Sequence, residues 1–266
     1  MEPVYEHNRA AWDARVRNRA RHTVLADDKD FANARVCIDP WGWLPARLTG
    51  LRVLCLAGGG GRHGMLLAAC GAEVTIVDIS GEMLELDQKV AAERGLKVRT
   101  MRASMDDLPM FGAATFDVVW QPVSTCYVPD VKRVYREVAR LLVPGGTYFS
   151  KHKQPVNLQT SLRPGPGGYV LNETVYRSEP LPPSEPGPHR EVDTLEYVHS
   201  LGDILGGLCE AGFRIEALNE PQVGRMGSDP GSFAHRSLYA PPYLEIKAVR
   251  SENAPAESGS KLWVPG

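Results

Sequence analysis

With 266 residues, 43% of them hydrophobic, the chain is long enough to bury one large core, and α/β folds of this size often form a single domain. Its 30 Lys and Arg stand against 32 Asp and Glu, so no overall field favours nucleic acid or an anionic membrane, and a neutral or mixed small molecule is the default partner. No apolar run approaches the roughly 18 residues that span a bilayer, Met1 to Ala10 lacks a signal-peptide core, and the five scattered cysteines form no CxxC pair; a cytoplasmic protein without disulfides or a metal site is expected.

In chain order, residues 5–20 read as a helix in which Tyr5, Trp12 and Val16 mix with Arg15, Arg17, Arg19 and Arg21. Two readings stay open: a solvated amphipathic helix, or a lid over the cofactor mouth with an Arg or Trp12 inside. The loop Asp39 to Pro45 carries Trp41 and Trp43, which must cover either the core edge or a ligand. Next, Val53 to Leu56 is an apolar run that breaks into Gly58, Gly59, Gly60 and Gly61 before a helix start. Glycines at such a junction let the backbone turn sharply, approach a ligand closely and present free amides, which is the geometry of a nucleotide-type cofactor site.

Met65 to Cys70 supplies a short helix, and Glu73 to Val77 is a β-branched strand ending at Asp78, 19 residues beyond Gly59. An acid at that interval suits a ribose diol, whose two hydroxyls it can accept. Ser80 caps a helix through Glu93 that Gly95 ends, and Lys97 to Arg102 is the third strand. Ala103 to Pro109 lies at a strand end, where backbone amides and a short polar side chain can meet an adenine edge. Thr115 to Trp120 is the fourth strand, followed by the loop Gln121 to Tyr127. A helix from Val131 to Leu142 is stopped by Pro144, Gly145 and Gly146, and a fifth strand, Thr147 to Ser150, leads into Lys151, His152 and Lys153.

Residues 154–190 are rich in proline and glycine around one strand-like run, Gly168 to Tyr176, and read as a functional cap. Helical spacing returns at Leu201, Ile204, Leu205, Leu208 and Cys209; Phe213 to Leu218 and Tyr243 to Val249 are the last strands, with the loop Pro221 to Pro242 between them. The expected organisation is one domain over 1–250, with an N-terminal lid (1–45), the cap (154–190) and a flexible tail (251–266).

Gly59, Gly61 and Gly64 fit GxGxxG, a pattern shared by nicotinamide cofactors and S-adenosylmethionine (SAM). The wider arrangement resembles the class I SAM-dependent methyltransferases, in particular the small-molecule enzymes around the ubiquinone and menaquinone methyltransferases. The matches are Val53 to Gly61, Asp78, Ala103 to Pro109, Phe116 to Trp120, and Val138 to Phe149 with its Leu142-Val143-Pro144-Gly145-Gly146 core. Three positions depart from the family pattern: Cys55 for a first-strand acid, Ala57 for the first motif glycine and Ser104 for an adenine-loop acid. Each weakens one expected hydrogen bond, by about 0.5–1.5 kcal/mol.

The resemblance implies a Rossmann-like seven-stranded, mostly parallel sheet with an antiparallel last strand, helices on both faces and a cap insertion. It also implies that SAM, leaving as S-adenosylhomocysteine, is held by Ala57, Gly58, Gly59, Gly60, Gly61, Asp78, Ile79, Met83, Ser104, Met105 and Gln121. The partner expected is a small-molecule methyl acceptor, with no nucleic acid and no membrane insertion, on a monomer or homodimer. Methyl transfer is an in-line displacement that chiefly needs alignment and exclusion of water, with a general base for a protonated nucleophile. His199, in a Tyr-Val-His pattern before the 201–209 helix, His152 after the fifth strand, and Tyr127 are the candidates for that substrate site. Ser124 and Gln121 are expected at its entrance, His63 is read as structural or cofactor-side, and Cys126 has no assignable base that would make it a nucleophile. Two other readings remain: a SAM-binding protein without transfer, and an NAD(P)-dependent oxidoreductase.

Overall fold

The computed structural model describes residues 3–252 except 186 and 188, so most of the expected 251–266 tail lies outside the described residues. The seven expected strands are present as β1 (Arg52–Leu56), β2 (Glu73–Asp78), β3 (Val98–Arg102), β4 (Phe116–Gln121), β5 (Leu142–Lys153), β6 (Phe213–Asn219) and β7 (Tyr243–Arg250). They form one sheet in the order β3-β2-β1-β4-β5-β7-β6. β1 to β5 run parallel, and β7 inserts antiparallel between β5 and β6. The order reverses at β1 and β4, and open α/β sheets bind ligands at such a switch point, beyond the carboxyl ends of their strands.

The helices that cover the sheet start and stop where their caps dictate. α4 is His63–Ala69; α5, Gly81–Arg94, begins on the Ser80 side chain, which accepts the Met83 amide, and ends on Gly95 at φ +65. α6, Val131–Leu141, begins on Asp130 and buries Val131, Val134, Tyr135, Val138 and Leu141. The N-terminal helix α1 spans Pro3–Arg17, and the expected helix near 201–209 is a π-helical turn, Gly202–Gly206, running into α8, Gly207–Glu210. One core cluster, around Tyr135 and Tyr148, fills the α6 side; the other, around Ile38, Met65, Ile76, Trp120 and Phe149, fills the α4 side.

Four short helices carry too few residues to show a period in sequence: α2 (Asp28–Ala32), α3 (Ala34–Ile38), α7 (Pro155–Gln159) and α9 (Phe233–Arg236). Two expectations are corrected. The Pro144-Gly145-Gly146 segment does not precede β5 but belongs to it, because Leu142 already pairs with Phe116 and an irregular register absorbs the turn. Gly168 to Tyr176 is not a strand; it makes only isolated bridges, Gly168 with Gly165 and Leu171 with Thr160. The 154–190 segment is held instead by Arg236, whose buried guanidinium donates to the carbonyls of Asn157, Thr160 and Ser161.

α4 lies so close to β2 that a Cβ on Gly64 would sit 2.4 Å from Ile76 Cδ1 and 2.6 Å from its Cγ1. Gly64→Ala is therefore expected to lower stability by about 1–3 kcal/mol through overpacking, read as a fall in the denaturant midpoint. Among the described residues no helix is long and apolar enough to cross a membrane.

Candidate active site

A cavity of about 380 Å³ lies beyond the carboxyl ends of the central strands. One end is built by the β1 and β2 turns and the segment after β3: Ala57, Gly59, Asp78, Ile79, Met83, Ala103, Ser104 and Met105 all line it. The Asp78 carboxylate is buried there, accepting from the Gly59 amide at 3.0 Å and the Ser80 amide at 2.9 Å. Burial pushes its pKa up to about 6, against the opposing pull of those amides.

The glycine turn is shaped by residues on both of its faces. Ala57 sits at φ +49, a left-handed conformation that favours glycine. A Cβ on Gly59 would come within 3.0 Å of Met83 and 3.1 Å of Asp78, so only glycine keeps the acid and the turn this close. Gly60 and Gly61 turn their amides inward, to the buried Asp87 carboxylate at 3.1 and 2.8 Å. Asp87 was not anticipated, yet it leaves a sequence signal, because it occupies the apolar stripe of α5 with Met83, Leu84, Val90 and Ala91. Burial drives its pKa to about 7. Cys55 is likewise explained: its sulfur fills the space beneath Gly58, where a Cβ would lie 2.4 Å away.

α1 contributes to the wall at this end. Tyr5, Asn8 and Trp12 line the cavity, and the Tyr5 hydroxyl donates at 2.6 Å to the buried Asp106, which also accepts from Ser104 Oγ at 2.5 Å. Thus the adenine-loop region does carry an acid, two residues after Ser104. Asn8 donates to the carbonyls of Tyr127 and Leu195, while Ser80 Oγ donates to Asp13.

The other end is aromatic and bears paired charges. Trp120 stacks on Phe149 with centroids 5.5 Å apart, and His63 lies 4.6 Å from Trp120. Trp12 meets Tyr127 edge-on at 5.6 Å. Lys153, buried, contacts Glu191 at 2.5 Å and Glu196 at 2.9 Å; Glu191 also accepts from the Tyr127 hydroxyl at 2.8 Å. Burial would raise the Glu191 carboxyl, but the Lys153 ammonium and its hydrogen bonds hold it down at about 2. Lys151 pairs with Glu245 at 2.9 Å, and Glu245 accepts from Trp41 Nε1 at 2.6 Å.

Several expected site residues lie elsewhere. On β5 successive side chains alternate faces, so Phe149, Lys151 and Lys153 point into the cavity while Tyr148, Ser150 and His152 point toward α6. Both His152 nitrogens are engaged, by Thr125 Oγ1 at 2.8 Å and Ser150 Oγ at 2.9 Å, and burial takes its pKa down to about 3. His199 is buried outside the cavity lining, donating from Nε2 to the Thr125 carbonyl at 3.0 Å. Gln121, by the same alternation on β4, faces away and donates to Ser124 Oγ at 2.8 Å. Gly58, Gly60 and Gly61 shape the turn without lining the cavity, whereas Tyr127 and Ser124 do line it. Cys126 is buried, which pushes its thiol far up. Among the described residues, neither 154–190 nor 221–242 contributes a lining side chain; Glu191 and Tyr243, at their flanks, do.

A family profile described as a methyltransferase domain matches residues 53–146. An uncharacterized methyltransferase of Bacillus subtilis, YbaJ, is 33% identical over 241 residues, covering 84% of this chain and 93% of that protein. A ubiquinone biosynthesis O-methyltransferase of Xanthomonas campestris is 31% identical over 138 residues, 52% of this chain, which spans only 54% of that protein. The crystal structure of a SAM-dependent methyltransferase from Mesorhizobium loti superposes with a TM-score of 0.61 at 25% identity, over 83% of this chain and 97% of that one. Kinship along nearly the whole length of one relative, on a fold whose glycine turn and buried strand-end acid fit an adenosine cofactor, makes the chain a class I SAM-dependent methyltransferase.

Proposed function

We propose that this enzyme methylates a hydroxyl group on a neutral, planar small molecule. SAM is held over Ala57, Gly59, Asp78, Ile79, Met83, Ser104 and Met105, with Asp78 taking the ribose hydroxyls. Gly58, Gly60, Gly61, Gln121, Asp87 and Asp106 fix that bed from beneath. The acceptor lies between Trp120, Phe149, Trp12 and Tyr127.

The observation that carries the acceptor class is charge pairing: both cavity lysines are already neutralised, Lys151 by Glu245 and Lys153 by Glu191. An anionic acceptor would have to break one of these pairs, while a neutral aromatic ring finds stacking partners on the wall. The Xanthomonas relative is an O-methyltransferase, which agrees with an oxygen nucleophile. The sulfonium of SAM supplies an activated methyl group and a neutral leaving group. The protein's part is to align the acceptor oxygen behind that methyl and exclude water. We place this chemistry in one domain over 1–250, with α1 as lid, in a cytoplasmic setting.

Labelled SAM offered with a panel of phenols, carboxylic acids and amines tests the reading. Methyl ether formation is expected; transfer to carboxylates or amines alone would overturn it.

A further inference from the structure

His22 stands in a turn that sequence reasoning passed over. Of the seven histidines, only His22 and His63 line the cavity. His63 is half-buried against Trp120 with no carboxylate beside it among the described residues, and desolvation lowers its pKa to about 3, so it cannot hold a proton near neutrality. His22 is different in three respects.

First, its Nε2 faces Glu191 Oε1 at 3.5 Å, and that carboxylate is itself fixed by Lys153 and the Tyr127 hydroxyl. A histidine oriented by an anchored carboxylate keeps one nitrogen protonated and leaves the other as a base. Second, its Nδ1 makes no hydrogen bond among the described residues, and the side chain is 44% exposed, so a proton taken up there can pass on to water. Third, His22 sits at φ +73, a conformation costing a non-glycine residue about 1 kcal/mol or more. Of the five such non-glycine residues among those described, only His22 and Ala57 line the cavity. The strained turn lies over the glycine turn: Ala26 donates to the Gly61 carbonyl at 3.1 Å, and the His22 carbonyl is 3.5 Å from a Cβ built on Gly60. His22 thus stands between the cofactor turn and the Tyr127–Glu191 end.

We propose that His22 is the general base of the reaction and that Glu191 is its positioning residue. The proposal rests on a hydroxyl acceptor, as argued above. The acceptor oxygen forms a bond to the methyl carbon while the carbon–sulfur bond breaks and its electron pair stays on sulfur. The hydroxyl proton moves to His22 Nδ1, and the imidazolium so formed is stabilised through Nε2–H by Glu191. The charged and titratable groups around His22 are Glu191, Arg21, Arg15 and Lys153, with His63 nearby. Burial and the cations lower its affinity for a proton, and Glu191 opposes them.

Two measurements on the intact, SAM-bound protein decide the matter. In nitrogen-15 NMR of the histidine rings, His22 is expected with the proton on Nε2 and a bare Nδ1, and Glu191→Gln is expected to lower its titration midpoint. A proton on Nδ1, or a midpoint that Glu191→Gln leaves in place, overturns the pairing. With phenol and 4-nitrophenol as probes, His22→Asn is expected to lower kcat about 100-fold or more on phenol. The deficit should shrink on 4-nitrophenol, which is already largely ionised in mildly alkaline buffer, and SAM affinity should hold. Equal deficits on both probes overturn the base role. If the wild-type protein binds SAM but methylates neither phenol, the acceptor class fails, and the NMR result alone then judges the dyad.

Discussion

Asp78→Asn is expected to weaken SAM binding about 10- to 100-fold, measured by isothermal titration, with the fold retained. Hydrogen bonds to a charged carboxylate are worth about 1.5–3 kcal/mol, and the asparagine amide would also point a donor at one of the two backbone amides that Asp78 now satisfies. An unchanged Kd would show that the ribose is held elsewhere. The same carboxylate predicts a pH dependence. Because burial raises its pKa to about 6, Asp78 is ionised above that value and protonated below it. Affinity for SAM, a cation with a ribose diol, should therefore be full near pH 8 and fall as the pH drops through about 6. In Asp78→Asn the component centred near pH 6 should vanish, leaving only what Asp87, with its pKa near 7 beneath the same turn, contributes.

The cofactor half of this site was legible in sequence because its signals are local. A glycine turn, a strand-end acid and Ser80 as a helix cap each lie within one strand-turn-helix unit, where spacing along the chain translates directly into distance. The acceptor half was not, for two separate reasons. His152 was expected at the right end of the right strand, but a strand turns alternate side chains to opposite faces, and only pairing with α6 on one side and the cavity on the other decides which. Lys151 and Lys153, its neighbours, hold the positions His152 was expected to fill. His22 and Glu191, by contrast, come together from 169 residues apart, through irregular segments with no period to read. The one buried acid that a period could have exposed is Asp87, set among the apolar residues of α5.

Lys153→Met should be the most destabilising change in the cavity wall, costing about 3–5 kcal/mol. The ammonium is buried, and its attraction to Glu196 and Glu191 outweighs the desolvation that would otherwise discharge it. Without it, Glu196, fully buried, keeps among the described residues only Thr194 Oγ1 at 3.4 Å and Arg190 at 3.5 Å. Two carboxylates would then share one low-dielectric region without the ammonium that now joins them. A fall in the urea midpoint is the expected reading, and Lys153→Met with Glu196→Leu should recover part of it by removing one stranded charge. A single variant as stable as the parent would mean that the buried triad carries no net load.

The helix α1 touches the cofactor side through Tyr5 and Asp13 and the acceptor side through Asn8, which clasps Tyr127 and Leu195. Anything that enters or leaves past this helix must first release hydrogen bonds at both ends, each worth about 0.5–1.5 kcal/mol. Release past α1 is therefore expected to be an all-or-none opening and not a gradual loosening. Turnover is then expected to depend on how often the first thirteen residues let go as well as on the atoms that react.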